Sequence, residues 1–157
     1  MDHTSPLPSS LQNLIDDLTH PAMIVNSRSD VLAWNAASSR YFTEFSSLPL
    51  QERNMTWQWF SNDSLRERIS NWEECAGYAA AVFRSFCDRN AGDPWVSQFV
   101  PELMSRSPFF QNLWGRYEVR GKSGLVIRFE AGESFEVTSL QLNQGTKDLH
   151  FFLCTPV

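Results

Sequence analysis

Apolar and polar positions along this chain follow two different periods, and the changes of period divide it into a strand pair, a helical middle and a second set of strands. Leu11, Leu14, Ile15 and Leu18 fall at i, i+3, i+4 and i+7, the spacing of a one-faced helix, and Pro21 stops the run. Such a first helix packs on the core or on a partner subunit. Ala22 to Val25 and Val31 to Trp34 read as two short strands joined across Asn26-Ser27-Arg28-Ser29-Asp30, a cluster of turn formers. Asn35 then caps a helix running to about Phe45, and a second helical stretch extends from Pro49 to Phe60.

The middle of the chain carries clear punctuation. Ser70 and Glu73 have capping-box spacing ahead of Trp72, Ala76, Ala79, Ala80 and Phe83, which lie on one stripe, and Gly92 follows the end. Asp93-Pro94 supplies an N-cap and a first-turn proline for a helix with Val96, Phe99, Val100 and Leu103 on one side. Ser107-Pro108 repeats the device for Phe110, Leu113, Trp114 and Tyr117. From Val119 onward the period becomes two. Leu125, Ile127 and Phe129 alternate with Arg128 and Glu130, Ala131-Gly132-Glu133 turns, and Phe135 to Leu142 forms the next strand. After a turn at Gln144-Gly145-Thr146-Lys147-Asp148, Leu149 to Cys154 closes the sheet. Hairpin-linked strands pair antiparallel, so the expected architecture is α/β (α+β): one five-stranded antiparallel sheet with the helices packed on one face.

Residues 1–9 are rich in Pro and Ser and read as a flexible leader or linker remnant, with a single domain over 10–157. A domain of 157 residues buries enough surface to be stable without a cofactor. Its 12 Phe and 6 Trp exceed what a core of this size needs, and the excess can line a cavity. Net charge −5 and scattered basic residues argue against gripping a phosphate backbone. Arg66, Arg68, Arg84 and Arg89 are interrupted by Glu67, Glu73 and Glu74, as on a solvated helix face. Cys75, Cys87 and Cys154 are odd in number and lack metal or disulfide spacing, which suits a reduced, cytoplasmic protein. No apolar run reaches the ~20 residues of a membrane span, and no export signal precedes Leu11.

Catalysis is not expected. His3, His20 and His150 are isolated, and the neighbouring carboxylates Asp16-Asp17 and Glu73-Glu74 point about 100° apart on a helix, which is no geometry for an acid and base pair. No nucleophile elbow or phosphate-cradling glycine loop is present.

The segments Pro21-Ala22, Asp30-Val31-Leu32-Ala33-Trp34-Asn35, Glu52-Arg53-Asn54-Met55, Asn71-Trp72-Glu73, Ser107-Pro108-Phe109-Phe110, Leu113-Trp114, Glu118-Val119 and Thr155-Pro156 carry a resemblance spread over nearly the whole chain. In order and spacing they resemble the ligand-binding domain of MmyB-like transcription regulators. The resemblance implies a PAS-like fold, attached in that family to an N-terminal helix-turn-helix domain of the XRE class. DNA contact is therefore expected only through such a domain, which these 157 residues do not include. The chain departs from the family near the first C-terminal hairpin, where Phe129-Glu130-Ala131-Gly132 stands in place of a His-Pro pair and glycine.

The resemblance also implies a cavity between sheet and helices for an apolar, fatty-acid-like molecule. Trp34, Trp57, Phe60, Phe83, Trp114 and Phe129 are the candidate walls, Arg53 the candidate carboxylate anchor, and Asn54 an added hydrogen-bond partner. Each has a plainer reading: rings at helical spacing as core, Arg53 on helix-end carbonyls or paired with Glu52 or Glu44. The alternative function is a PAS-like module that holds no ligand and dimerises, as a homodimer, through Leu11 to Leu18.

Overall fold

The computed structural model describes residues 7–116, 124–144 and 147–157, so Tyr117, Glu118, Val119 and the Gly145-Thr146 tip of the last turn lie outside the described residues. Five strands form one sheet in the spatial order β2-β1-β5-β4-β3, where β1 is Ala22–Asn26, β2 Val31–Trp34, β3 Leu125–Arg128, β4 Ser134–Gln144 and β5 Lys147–Pro156. Every neighbouring pair is antiparallel. The central β1–β5 pairing aligns Ala22 with Leu153 and Ile24 with Phe151, bringing the first strand pair against the last strand across the helical insertion. This is a PAS-like α+β fold.

Between β2 and β3 the described residues form the α-helices α2 (Ala36–Tyr41), α3 (Met55–Ser61), α4 (Asp63–Arg68), α5 (Trp72–Arg89), α6 (Pro94–Arg106) and α7 (Pro108–Arg116). The larger core lies between them and one face of the sheet, where Met23, Ile127, Phe129 and Phe135 meet Phe42, Phe60, Phe83 and Phe110. The opposite face is covered by α1 (Ser9–Asp16), whose Leu11 and Ile15 pack on Ala22, Ile24, Ala33, Leu149 and Phe151. Alternate residues of β1 and β5 thus enter different cores, as pleating requires. The one-faced reading of α1 needs correction: Leu11 and Ile15 are buried, but Leu14 and Leu18 are 50% and 41% exposed.

Caps anticipated from the sequence are in place at three helices. Asn35 accepts from Ser38 N, Asp93 from Trp95 N and Ser107 Oγ from Phe110 N. Other boundaries were set by long-range partners. The Arg68 guanidinium donates to the carbonyls of Tyr41 and Phe42, so α2 ends there and not at Phe45. In the stretch from Pro49 to Phe60, a short 3-10 turn (Leu50–Glu52) gives way to non-helical backbone at Arg53 and extended backbone at Asn54. The extension is imposed by β2: Val31 N donates to Arg53 O and Met55 N to Ser29 O, both at 2.8 Å. Ser70 and Glu73 form no capping box. Ile69 bridges Phe129, the Ser70 hydroxyl donates to Arg128 O, and Asn71 becomes the residue before α5 while bonding β3 through Val126 O and Arg128 N.

The three cysteines are free and buried. Burial pushes the Cys75 and Cys154 thiols up to about 12 and Cys87 up to about 11, with Glu74 and Asp88 adding to the first and last of these. Unfolded thiols titrate near 9.0 and the folded ones do not, so above that pH the unfolded chain binds fewer protons. Stability carried by the thiols is complete below pH ~9 and is lost as pH rises toward the folded values. Accordingly, a disulfide reagent at pH 8 should label the native protein slowly and the urea-unfolded chain at once; rapid native labelling would overturn this placement.

Candidate functional site

The aromatic side chains gather in three groups. In the helical layer, Phe83 of α5 is fully buried and has Phe99 at 5.1 Å, Trp114 at 5.8 Å, Trp95 at 5.9 Å and Phe86 at 6.1 Å between ring centroids. Trp57 joins through Phe99 at 5.8 Å, and Phe60 through Phe110 at 4.9 Å, which stacks on Trp114. Four of the residues singled out in the sequence, Trp57, Phe60, Phe83 and Trp114, therefore share one wall built by α3, α5, α6 and α7.

Phe129 belongs to a second group beneath the sheet, with Tyr41 at 5.3 Å, Phe135 at 6.1 Å and Phe42 at 6.2 Å. Phe42 also meets Phe152 and Trp59. Trp34 forms a third group with Phe45 at 5.4 Å. It points to the helix side of the sheet while Ala33 faces α1, as strand alternation dictates. Both groups belong to one continuous buried core. The border between them runs along α3, from which Trp59 serves one group and Phe60 the other.

Arg53 and Asn54 sit at the junction of β2 and α3. The Arg53 guanidinium lies 5.7 Å from the Trp34 ring, half-buried, and donates from Nε to Leu48 O at 3.1 Å and from Nη2 to Ser46 O at 3.3 Å. Those bonds leave guanidinium N–H groups over for an anion. Asn54 is fully buried, and its amide is spent on the fold: Nδ2 donates to Arg28 O and Asp30 Oδ1, and Oδ1 accepts from Trp57 N. Asn35, the residue that opens α2, is equally engaged. Its Nδ2 faces the carbonyls of Ile15, Leu18 and His20, and its Oδ1 accepts from Ala22 N and Ser38 N.

Two features of the site have no signature in the sequence. Arginines flank the helical wall: Arg84 stands 3.8 Å from the Trp114 ring, Arg66 4.1 Å from Trp72, Arg28 4.8 Å from Trp95 and Arg106 5.5 Å from Trp57. An acidic chain thus places positive charge at the margin of its largest ring cluster. These partners lie on different elements, so no local spacing reveals them. The second is Thr56, 1% exposed, whose Oγ has no hydrogen-bond partner. No ionised side chain is buried among the described residues; the buried polar residues are Asn35, Ser38, Asn54, Thr56, Gln58 and Ser107.

The family model described as MmyB-like transcription regulator ligand binding domain matches residues 7–156, a span that takes in α1, both cores and all five strands. No curated protein matches the chain at a significant level. On the strength of that nearly complete match, the chain belongs to the family of MmyB-like transcription regulator ligand-binding domains.

Proposed function

We propose that this chain is the effector-sensing part of a one-component, bacterial-type transcription regulator, working in the cytoplasm. In this reading it binds a mainly apolar, fatty-acid-like molecule and relays binding to a helix-turn-helix domain outside these 157 residues. The observation that carries the reading is the match of residues 7–156 to a regulatory ligand-binding family, which is not a family of enzymes. Support comes from the ring wall of Trp57, Phe60, Phe83 and Trp114 and from the arginines at its margin. Apolar rings receive an acyl chain, and a guanidinium at the rim pairs a carboxylate without burying a charge. Signalling then requires that the effector bind one conformation of the domain more tightly than another.

Arg53 is our candidate for the carboxylate contact, with Trp34 and Phe129 as walls at the two ends of the site. Tryptophan fluorescence titration with tetradecanoic acid should show saturable binding, weakened about tenfold or more in Arg53→Ala, the worth of one charge-assisted hydrogen bond. Loss of the Leu48 and Ser46 bonds should cost about 1 kcal/mol of stability, because those carbonyls lie near solvent. Affinity unchanged by the substitution would remove Arg53 from the site.

A second reading, a dimerisation module without ligand, is favoured by one observation: Leu14 and Leu18 expose an apolar strip on α1, and Leu140 is 49% exposed on the same face of the sheet. The two readings share a homodimer through α1 and differ in the guest. Organic extraction and native mass spectrometry of the purified protein should recover a lipid-like molecule under the first and none under the second. Leu14→Glu with Leu18→Glu should yield monomers in sedimentation under either.

A further inference from the structure

Among the described residues six polar side chains are buried, and five of them spend their polar groups on defined partners. Asn35 and Asn54 are saturated as described; Ser38 Oγ donates to Ala22 O, Gln58 Nε2 donates to Glu52 O, and Ser107 Oγ accepts from Phe110 N. Thr56 is the exception, with Oγ inaccessible to solvent and unpaired. A buried hydroxyl without a partner is costly, and native folds rarely keep one. Thr56 is the second residue of α3, so the residue four back precedes the helix and supplies no in-helix carbonyl for its hydroxyl; Ser61, farther along α3, does use that outlet, donating to Trp57 O at 2.6 Å.

The position of Thr56 is as informative as its orphan hydroxyl. At 100° per residue, Thr56 projects from α3 between the directions of Trp59 and Phe60, one turn earlier. Trp59 contacts Phe42 of the sheet-side rings, and Phe60 contacts Phe110 of the helical wall. Thr56 therefore projects from the side of α3 along which the two ring groups adjoin.

We infer that Thr56 Oγ is the interior hydrogen-bond contact for the guest, and that the guest carries an uncharged oxygen function, a hydroxyl or a ketone, along its apolar body. This rests on the ligand-sensing reading above and narrows it. The oxygen is uncharged because no buried cation stands near to pair an anion, whereas a hydroxyl or carbonyl needs only one partner. A carboxylate belongs at the arginine margin, and the oxygen that Thr56 reads lies farther in.

The test uses octadecanoic acid and a positional series of oxo- and hydroxyoctadecanoic acids, titrated by tryptophan fluorescence against the wild type, Thr56→Val and Thr56→Ser. At least one oxygenated acid should bind the wild type roughly tenfold more tightly than octadecanoic acid, the worth of one buried hydrogen bond. Thr56→Val should erase that gain and leave octadecanoic acid binding as before, while Thr56→Ser should keep it. Without ligand, Thr56→Val should melt about 3 °C higher, since the unpaired hydroxyl is gone. A gain absent from the whole series, a gain that survives in Thr56→Val, or a lower melting temperature for that variant would each overturn the inference while octadecanoic acid still binds. If octadecanoic acid and the whole series fail to bind, the sensing reading falls instead.

Discussion

Replacing Asn35 with alanine is expected to remove about 4 kcal/mol of folding stability. The side chain is 2% exposed and joins three separate pieces of backbone. Its amide nitrogen holds the carbonyls of Ile15, Leu18 and His20 at 2.9 to 3.2 Å, and its oxygen receives the Ala22 and Ser38 amides at 3.1 and 3.0 Å. Alanine removes the cap of α2 and also takes the Asn35 donor from the Leu18 and His20 carbonyls, while Ile15 O keeps Leu18 N and Ala22 N keeps Ser38 Oγ. Each orphan costs about 1 to 3 kcal/mol, so the sum exceeds the ~1 kcal/mol of an ordinary cap. Urea unfolding followed by circular dichroism measures the difference. Asn35→Asp should do no better, because it keeps the acceptor but turns a negative charge toward three carbonyls. A loss below about 1 kcal/mol would mean that water replaces the amide without penalty.

Phe83→Ala should be nearly as damaging, at about 4 kcal/mol, for a different reason. Phe83 has no solvent exposure and touches four other rings, so truncation leaves a void that neighbours of fixed shape cannot refill. Phe83→Leu should recover much of the loss by restoring volume. Thermal melts of the three proteins give the ranking, and benzene should raise the midpoint of the alanine variant more than that of the wild type, by occupying the added apolar hole. If wild type and alanine variant respond alike to benzene, the helical layer already has room beside Phe83 and is looser than its ring contacts indicate.

The fold was readable wherever the cause of an element is local. Hydrophobic alternation in Leu125, Ile127 and Phe129, the Asp93-Pro94 and Ser107-Pro108 caps, and the apolar runs that became β1, β2 and β5 all express nearest-neighbour physics. Boundaries decided by distant groups were not readable. Arg68 ends α2 from twenty-six residues away, and β2 straightens the chain at Asn54. The helix α4 was missed, although Asn62, which accepts from Leu65 N, followed by Asp63 in the first turn, is a signal that reveals it.

The site divides along the same line. The resemblance to a ligand-binding family was carried by residues such as Trp34, Asn35, Arg53, Asn54, Trp72 and Trp114, and the structure assigns two of these, Asn35 and Asn54, to holding backbone segments together. Ring content announced an aromatic interior but could not divide it into groups, since membership depends on which helix meets which. Thr56 was invisible because a lone threonine in Met55-Thr56-Trp57-Gln58-Trp59-Phe60 differs from ordinary packing only in what its hydroxyl fails to reach.

The layering of the sheet between two cores has a practical side. Because α1 shields Ala22, Ile24, Ala33, Leu149 and Phe151, a chain cut at Pro21 would present β1, β2 and β5 to water as a flat greasy surface, with the Asn35 amide facing empty space where three carbonyls had been. Any dissection or fusion of this sensor must therefore be made upstream of Ser9, and trimming the first helix as though it were a tether would produce aggregates in place of a minimal domain.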